Sequence, residues 1–184
     1  VTLENKNLSH LPVYLLNEDQ MSRYAIYMAT LGNRPDLFPG SEYVGKYTEP
    51  PEGYEVPREY LDDETFATIL SEAEKYIGYP YVWGGSSPAT SFDCSGYVSW
   101  VINHSGWNVG RLGAQGLYNI CTPTSNPQPG DLVFFKGTYD TPGVSHCGIY
   151  VGDGRMLHCG DPIGYANLNT SYWQSHFYAY GRLP

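Results

Sequence analysis

Basic residues are scarce in this chain of 184 residues: ten Lys and Arg stand against nineteen Asp and Glu, a formal net charge of -9 at pH 7. That deficit speaks against a protein that grips nucleic acid by neutralising phosphates, and against charge-driven binding to anionic membranes or wall polymers. No apolar run approaches the ~20 residues of a membrane-spanning helix, so no direct membrane insertion is expected. Four cysteines are too few for a disulfide scaffold. Neither a Cys-x-x-Cys nor a His-x-x-x-His pair occurs, so no metal site is expected. The chain begins at Val1 with no initiator Met, no signal stretch and no lipid-attachment cysteine, which predicts a mature or excised piece of a longer protein.

What is present suits a globular protein: 41% of residues are hydrophobic and 15% aromatic, with 18 Tyr. The length allows one domain with a full core, or one domain plus an extension. Residues 18–31 predict a helix with Asn17 as N-cap and Gly32 just past its end; Met21, Tyr24, Ala25 and Met28 form an apolar stripe. The Pro- and Gly-rich stretch 48–57 reads as an extended connector. Residues 1–60 are therefore expected to form an N-terminal extension packed on a domain spanning 61–184. A second helix is predicted over 63–77, with Asp62 as N-cap, Gly78 as its stop, and Phe66, Ile69, Leu70, Ala73 and Ile77 on its buried face. After Asp131 the period changes, and 132–135, 145–151, 156–159 and 177–182 read as strands. Helices first and antiparallel strands later make an α+β layout.

Chemistry concentrates at Cys94, His146 and His158. The apolar run after Cys94 predicts a buried helix opening at the cysteine, where unpaired N–H groups and the helix dipole favour thiolate. If Gly152, Asp153 and Gly154 form a three-residue hairpin loop, Val151 faces Arg155 and His158 faces Gly148. His146 and His158 then share a strand face as diagonal neighbours, close enough for one imidazole to hold the other. A thiol, a base and an orienting group are the minimum set for covalent attack on an amide. Cys147 and Cys159 would face each other on the opposite side, as two packed thiols rather than a disulfide. Cys121 reads as a core residue, and His10, His104 and His176 have no motif around them.

The chain resembles the NlpC/P60 family of papain-like cysteine peptidases. The matching pieces, in the family's order, are the aromatic-Trp-Gly-Gly stretch at residues 81–85, Asp-Cys-Ser-Gly at 93–96, Pro-Gly-Asp-Leu-Val-Phe-Phe at 129–135, His146 with Gly-Ile-Tyr-Val-Gly at 148–152, and His158. They cover about the C-terminal two-thirds; residues 1–60 carry none of them. The resemblance implies a papain-like NlpC/P60 fold with helices packed on an antiparallel sheet, and hydrolysis of peptidoglycan stem peptides at the γ-D-glutamyl–diamino acid bond. It implies Cys94 as nucleophile, His146 as base, His158 as its orienting partner and Tyr81 as an oxyanion donor beside the Cys94 N–H. Asp93, Ser95 and Tyr81 match positions that bind the start of the stem, and Trp83 is expected to wall the cleft. Arg111 loosely matches an arginine that the family carries after the cysteine helix, and is expected to be mainly structural. No cofactor is implied. The expected setting is extracellular or in a bacterial cell wall, as a monomer, with any anchor upstream. An amidase or acyl transferase on the same fold, or an inactive wall-binding module, remains a rival reading.

Overall fold

The computed structural model describes residues 54–184, together with 15–17 and Gln20. The helix expected over 18–31, His10 and the packing of residues 1–53 lie outside the described residues.

The described chain opens as a strap. Val56 is buried, and Tyr54 and Tyr60 both donate hydrogen bonds to the Asp153 carboxylate, at 3.2 and 2.9 Å. A 3-10 turn over Arg58–Asp62 uses up Asp62, so the first helix, α1 (Glu64–Glu74), is capped one residue later than expected. Its N-cap is Asp63, whose carboxylate accepts the N–H groups of Thr65 and Phe66 at 2.9 and 3.1 Å. Beyond Glu74 the bonds tighten to the i→i−3 pattern through Ile77, and Gly78 turns away at φ 89°. The predicted stripe is correct: Phe66, Ile69, Leu70 and Ala73 are buried and Ile77 packs beside them.

A small ribbon, β1 (Ser86–Ser87) with β2 (Ser91–Phe92), leads into α2 (Cys94–Asn103). Tyr97, Val98, Val101 and Ile102 are fully enclosed, so α2 is the central core helix. Then come α3 (Ala114–Ile120), β3 (Thr122–Thr124), β4 (Leu132–Lys136), β5 (Val144–Gly152), β6 (Arg155–Cys159), β7 (Ile163–Asn167), α4 (Ser171–His176) and β8 (Phe177–Arg182). The strands from β3 onward form one six-stranded antiparallel sheet in the order β3-β8-β4-β5-β6-β7. The mixed helix and antiparallel layout is as expected. α3, α4, β3 and β7 carry too little periodic pattern in three to seven residues to stand out in the sequence.

The sheet is covered on both faces. Leu132, Phe134, Cys147, Ile149 and Leu157 join the main core with α1, α2 and α3. Val133, Phe135, Met156 and Leu168 form a second core on the other side, with Trp173 of α4 packed on it. This explains the unbroken Leu-Val-Phe-Phe of β4, since a strand buried on both faces does not alternate.

The β5–β6 hairpin differs from the expected loop. Its turn has two residues, Asp153 and Gly154, both at positive φ (51° and 66°), closed by Gly152 opposite Arg155. A register shift between Tyr150 and Gly152 absorbs the extra residue, and the predicted pairing holds from Tyr150↔Met156 and Ile149↔Leu157 inward. A Cβ on Gly148 would stand 3.0 Å from the His158 Cβ, so His158 does lie across from Gly148.

Two glycines set the seat of α2. A Cβ on Gly96 would come within 2.1 Å of the Gly85 carbonyl oxygen, and one on Gly85 within 2.5 Å of the Ser91 carbonyl oxygen. The Asp93 N–H donates to that same Gly85 oxygen at 3.0 Å. Backbone on both sides cannot yield cheaply. Gly96→Ala is expected to cost about 1–3 kcal/mol through overpacking, lowering the melting temperature by roughly 2–4 °C per kcal/mol. Thermal unfolding followed by circular dichroism checks this, and an unchanged melting temperature would refute the close-approach argument.

Candidate active site

Cys94 occupies the first position of α2, with Asp93 as N-cap. The N–H groups of Gly96 and Tyr97 go to the Asp93 carboxylate and carbonyl, at 2.7 and 2.9 Å. Those of Cys94 and Ser95 have no hydrogen-bond acceptor among the described residues. The thiol is buried, with Sγ 3.9 Å from the Ser145 carbonyl of β5. Its pKa lies well below the usual cysteine value. A hydrogen bond from the Cys147 thiol is the largest cause, and desolvation opposes it; the hydrogen bond and charge of His146 lower it further. The other thiols go the opposite way: the bond to Cys94 and burial raise Cys147, burial raises Cys159, and burial pushes Cys121 up to about 12.

His146 of β5 and His158 of β6 meet as predicted, Nε2 of the first 2.9 Å from Nδ1 of the second. Desolvation, with the charge on His146 adding to it, holds the His158 pKa well below the histidine range, so His158 is neutral at neutral pH. A neutral imidazole has one donor and one acceptor nitrogen. In the tautomer whose Nδ1 accepts this bond on His158, His146 donates from Nε2. Trp173 of α4 stacks on His146 at 5.4 Å and 25°, and meets His158 edge-on at 5.2 Å. No spacing in the sequence pointed to Trp173.

Asp93 and Ser95 flank Cys94, but both are already engaged. The Asp93 carboxylate also accepts the Gly84 N–H at 3.1 Å, the Ser95 hydroxyl at 3.0 Å, and Nη2 of Arg111 at 2.8 and 2.7 Å. Arg111 donates from Nη1 to the Ser95 hydroxyl at 2.9 Å and to the Leu112 carbonyl. Arg111 is thus structural, as expected, and it is also the counter-ion of a buried carboxylate beside Cys94. Tyr81 bridges to Phe92 and donates its N–H to Asp161 at 3.1 Å. Its pKa is raised, by burial first and then by the charges of Cys94 and Asp93, so its hydroxyl stays a donor. Trp83 is not core: it is 69% exposed and packs edge-on against Tyr139 at 5.3 Å. Tyr139, whose pKa is raised by burial and by the Cys94 charge, is a second aromatic of this rim that the sequence reading missed.

All four cysteines are free, so Cys147 and Cys159 are packed thiols, and the Cys159 thiol donates to the Phe92 carbonyl at 3.2 Å. His104 caps the C-terminus of α2, bonding the Trp100 carbonyl at 2.8 Å and stacking on Trp100 at 4.0 Å. His176 bonds the Lys136 carbonyl at 2.8 Å. Among the described residues, no group of three or more His, Cys, Asp or Glu is arranged to hold a metal ion, and no helix is long and apolar enough to cross a membrane.

The thiols set one expected outcome. Near neutral pH, iodoacetamide should alkylate Cys94 well before Cys121, Cys147 or Cys159, because only the thiolate attacks. Peptide mass spectrometry after brief labelling reads the order, and equal labelling of all four in the folded protein would refute it. His158 sets another. Its folded pKa lies below its unfolded value of about 6.5, so the unfolded chain binds the extra proton and stability falls as pH drops through and below about 6.5. Melting temperatures of wild type and His158→Gln should converge in this window as the wild type loses stability; a parallel dependence would show that His158 does not titrate as stated.

The NlpC/P60 family profile matches residues 78–182, more than half of the chain. The bifunctional muramidase/DL-endopeptidase CwlT of Bacillus subtilis (strain 168) is 44% identical over 121 residues, 64% of this chain and 36% of that protein. A γ-DL-glutamyl hydrolase of the same organism is 42% identical over 112 residues, 58% of this chain and 27% of that protein. The chain therefore spans about a third or less of the length of these two relatives. Among solved structures, an NLP/P60 lipoprotein-like protein of Staphylococcus aureus superposes with a TM-score of 0.63 at 42% identity, over 76% of this chain and 46% of that one. With the family's region running from Gly78 to Arg182, through the Cys94 helix and the histidine strands, the chain belongs to the NlpC/P60 family.

Proposed function

We propose that the chain is a cysteine endopeptidase that hydrolyses peptidoglycan stem peptides at the γ-D-glutamyl–diamino acid bond. The observation that carries this reading is the placement of a depressed-pKa thiol at a helix start beside a histidine held by a second histidine at 2.9 Å. The names of its relatives, a DL-endopeptidase and a γ-DL-glutamyl hydrolase, support the substrate and the bond. The acidic balance of the chain suits a substrate that carries ammonium groups.

In this reading Nδ1 of His146 takes the Cys94 proton, and the thiolate attacks the carbonyl carbon of the γ-D-glutamyl link. The oxyanion accepts from the Cys94 N–H and the Tyr81 hydroxyl. As the tetrahedral adduct collapses, the C–N bond breaks and the imidazolium of His146 gives its proton to the departing amine of the diamino acid. Water, deprotonated by the same imidazole, then attacks the thioester and frees Cys94. His158 fixes the tautomer and tilt of His146 throughout. Asp93, Ser95 and Tyr81 meet the start of the stem, and Trp83 walls the cleft. The chemistry uses the chain's own side chains and backbone with one water, and needs no cofactor. The setting is the bacterial wall or the space outside the cell, and the protein acts as a monomer.

Digestion of purified stem peptides, read by mass spectrometry, tests the proposal. The expected product ends in γ-D-Glu, with Cys94→Ala and His146→Ala giving almost none and His158→Ala retaining weak activity. A cut at the sugar–peptide amide would make the protein an amidase, and no cut by the wild type would leave a wall-binding module.

A further inference from the structure

Three side chains from three elements enclose the His146 ring. Phe135 of β4 approaches at 5.9 Å and 44°, His158 of β6 stands edge-on at 5.1 Å and 83°, and Trp173 of α4 lies nearly parallel at 5.4 Å and 25°. Trp173 also meets the His158 ring edge-on, at 86°, and packs on Phe135 at 4.6 Å. One indole therefore covers both rings of the hydrogen-bonded pair. It is held in turn: the Thr170 hydroxyl accepts the Trp173 backbone N–H at 3.4 Å, Tyr172 packs against the indole at 4.9 Å, and the Gln174 side chain ties α4 to the Leu168 carbonyl at 2.8 Å.

Two consequences follow from elementary physics. A cation over an indole face, within about 6 Å of the ring centroid, is attracted by the ring quadrupole, more strongly where water is excluded. A hydrogen bond covered by an apolar ring is also shielded from competing water. We infer that Trp173 is a positioning residue of the candidate site: its indole locks the His146 ring against His158 and stabilises the imidazolium formed when the Cys94 proton is taken. The inference rests on the proposed roles of Cys94 and His146.

The titratable groups facing His146 are Cys94 from α2 and His158 from β6. On α4, His176 is bound to the Lys136 carbonyl, and Tyr172 packs against Trp173 and His176. On β4, the Lys136 ammonium lies over the Tyr178 ring at 3.4 Å. Trp173 is thus the aromatic face placed to favour positive charge on His146 without titrating itself.

The test is the pH dependence of Cys94 alkylation by iodoacetamide in wild type, Trp173→Leu and Trp173→Phe, which needs no peptide substrate. In Trp173→Leu the onset of alkylation should move to higher pH, and the rate at mildly acid pH should fall roughly three- to tenfold, the scale of a partly buried cation–π contact. Trp173→Phe should recover much of that loss. On stem peptides, kcat should fall in Trp173→Leu with KM unchanged. A folded Trp173→Leu protein with the wild-type alkylation profile and only a lowered melting temperature would overturn the inference and leave Trp173 a packing residue. If Trp173→Leu does not fold, Trp173→Met, a flexible apolar side chain with no ring face, takes its place: a roughly three- to tenfold slower alkylation at mildly acid pH is expected, and the wild-type profile would overturn the inference. A wild type that alkylates as expected but cuts no stem peptide would sink the proposed substrate and leave the role of Trp173 standing.

Discussion

The Asp93 carboxylate is the point on which the site depends. It caps α2 through the Gly96 N–H, anchors the glycine loop through the Gly84 N–H, and holds Ser95 and Arg111. A buried carboxylate is costly unless paired and hydrogen-bonded, and Asp93 is both. The same interactions that satisfy it fix where the first turn of α2 begins, and so where the Cys94 sulfur stands.

The sheet supplies what the helix cannot. β5 and β6 present their histidines from a ladder whose register is fixed by a tight Asp-Gly turn and a compensating shift. A slip of one residue would send His146 or His158 to the opposite face. The second core, on the side of the sheet away from α2, reaches the histidines as well, because Phe135 and Trp173 pack on the His146 ring from that side. The strap of Tyr54 and Tyr60 on Asp153 ties the same hairpin tip to the chain that leads into α1.

Charge and burial set one thiol apart from the other three. Cys94 has helix N–H groups, the Cys147 thiol and an imidazole around it, and its pKa falls. Cys121, Cys147 and Cys159 sit in apolar surroundings or beside the Cys94 charge, and theirs rise. Cys147 follows His146 directly, so the strand sets an imidazole on one face and a thiol on the other.

The sequence by itself determined the local features. The apolar run after Cys94 marks the start of α2, Gly152-Asp153-Gly154 marks the hairpin though not its two-residue turn, and strict alternation places His146 and His158 on one face. Each of these follows from backbone chemistry within a few residues. It misplaced the start of α1, because whether Asp62 or Asp63 caps depends on a preceding 3-10 turn that packing selects. Only the tertiary structure decided what crosses long stretches of chain. Arg111 lies eighteen residues from Asp93 and Trp173 twenty-seven from His146, with no periodic signal to link them. Tyr139 joins Trp83 from the loop before β5, and Cys147 reaches Cys94 from another element. Side-chain partners of this kind are set by how helices and sheet close over one another, and a linear pattern carries only the period of each element alone.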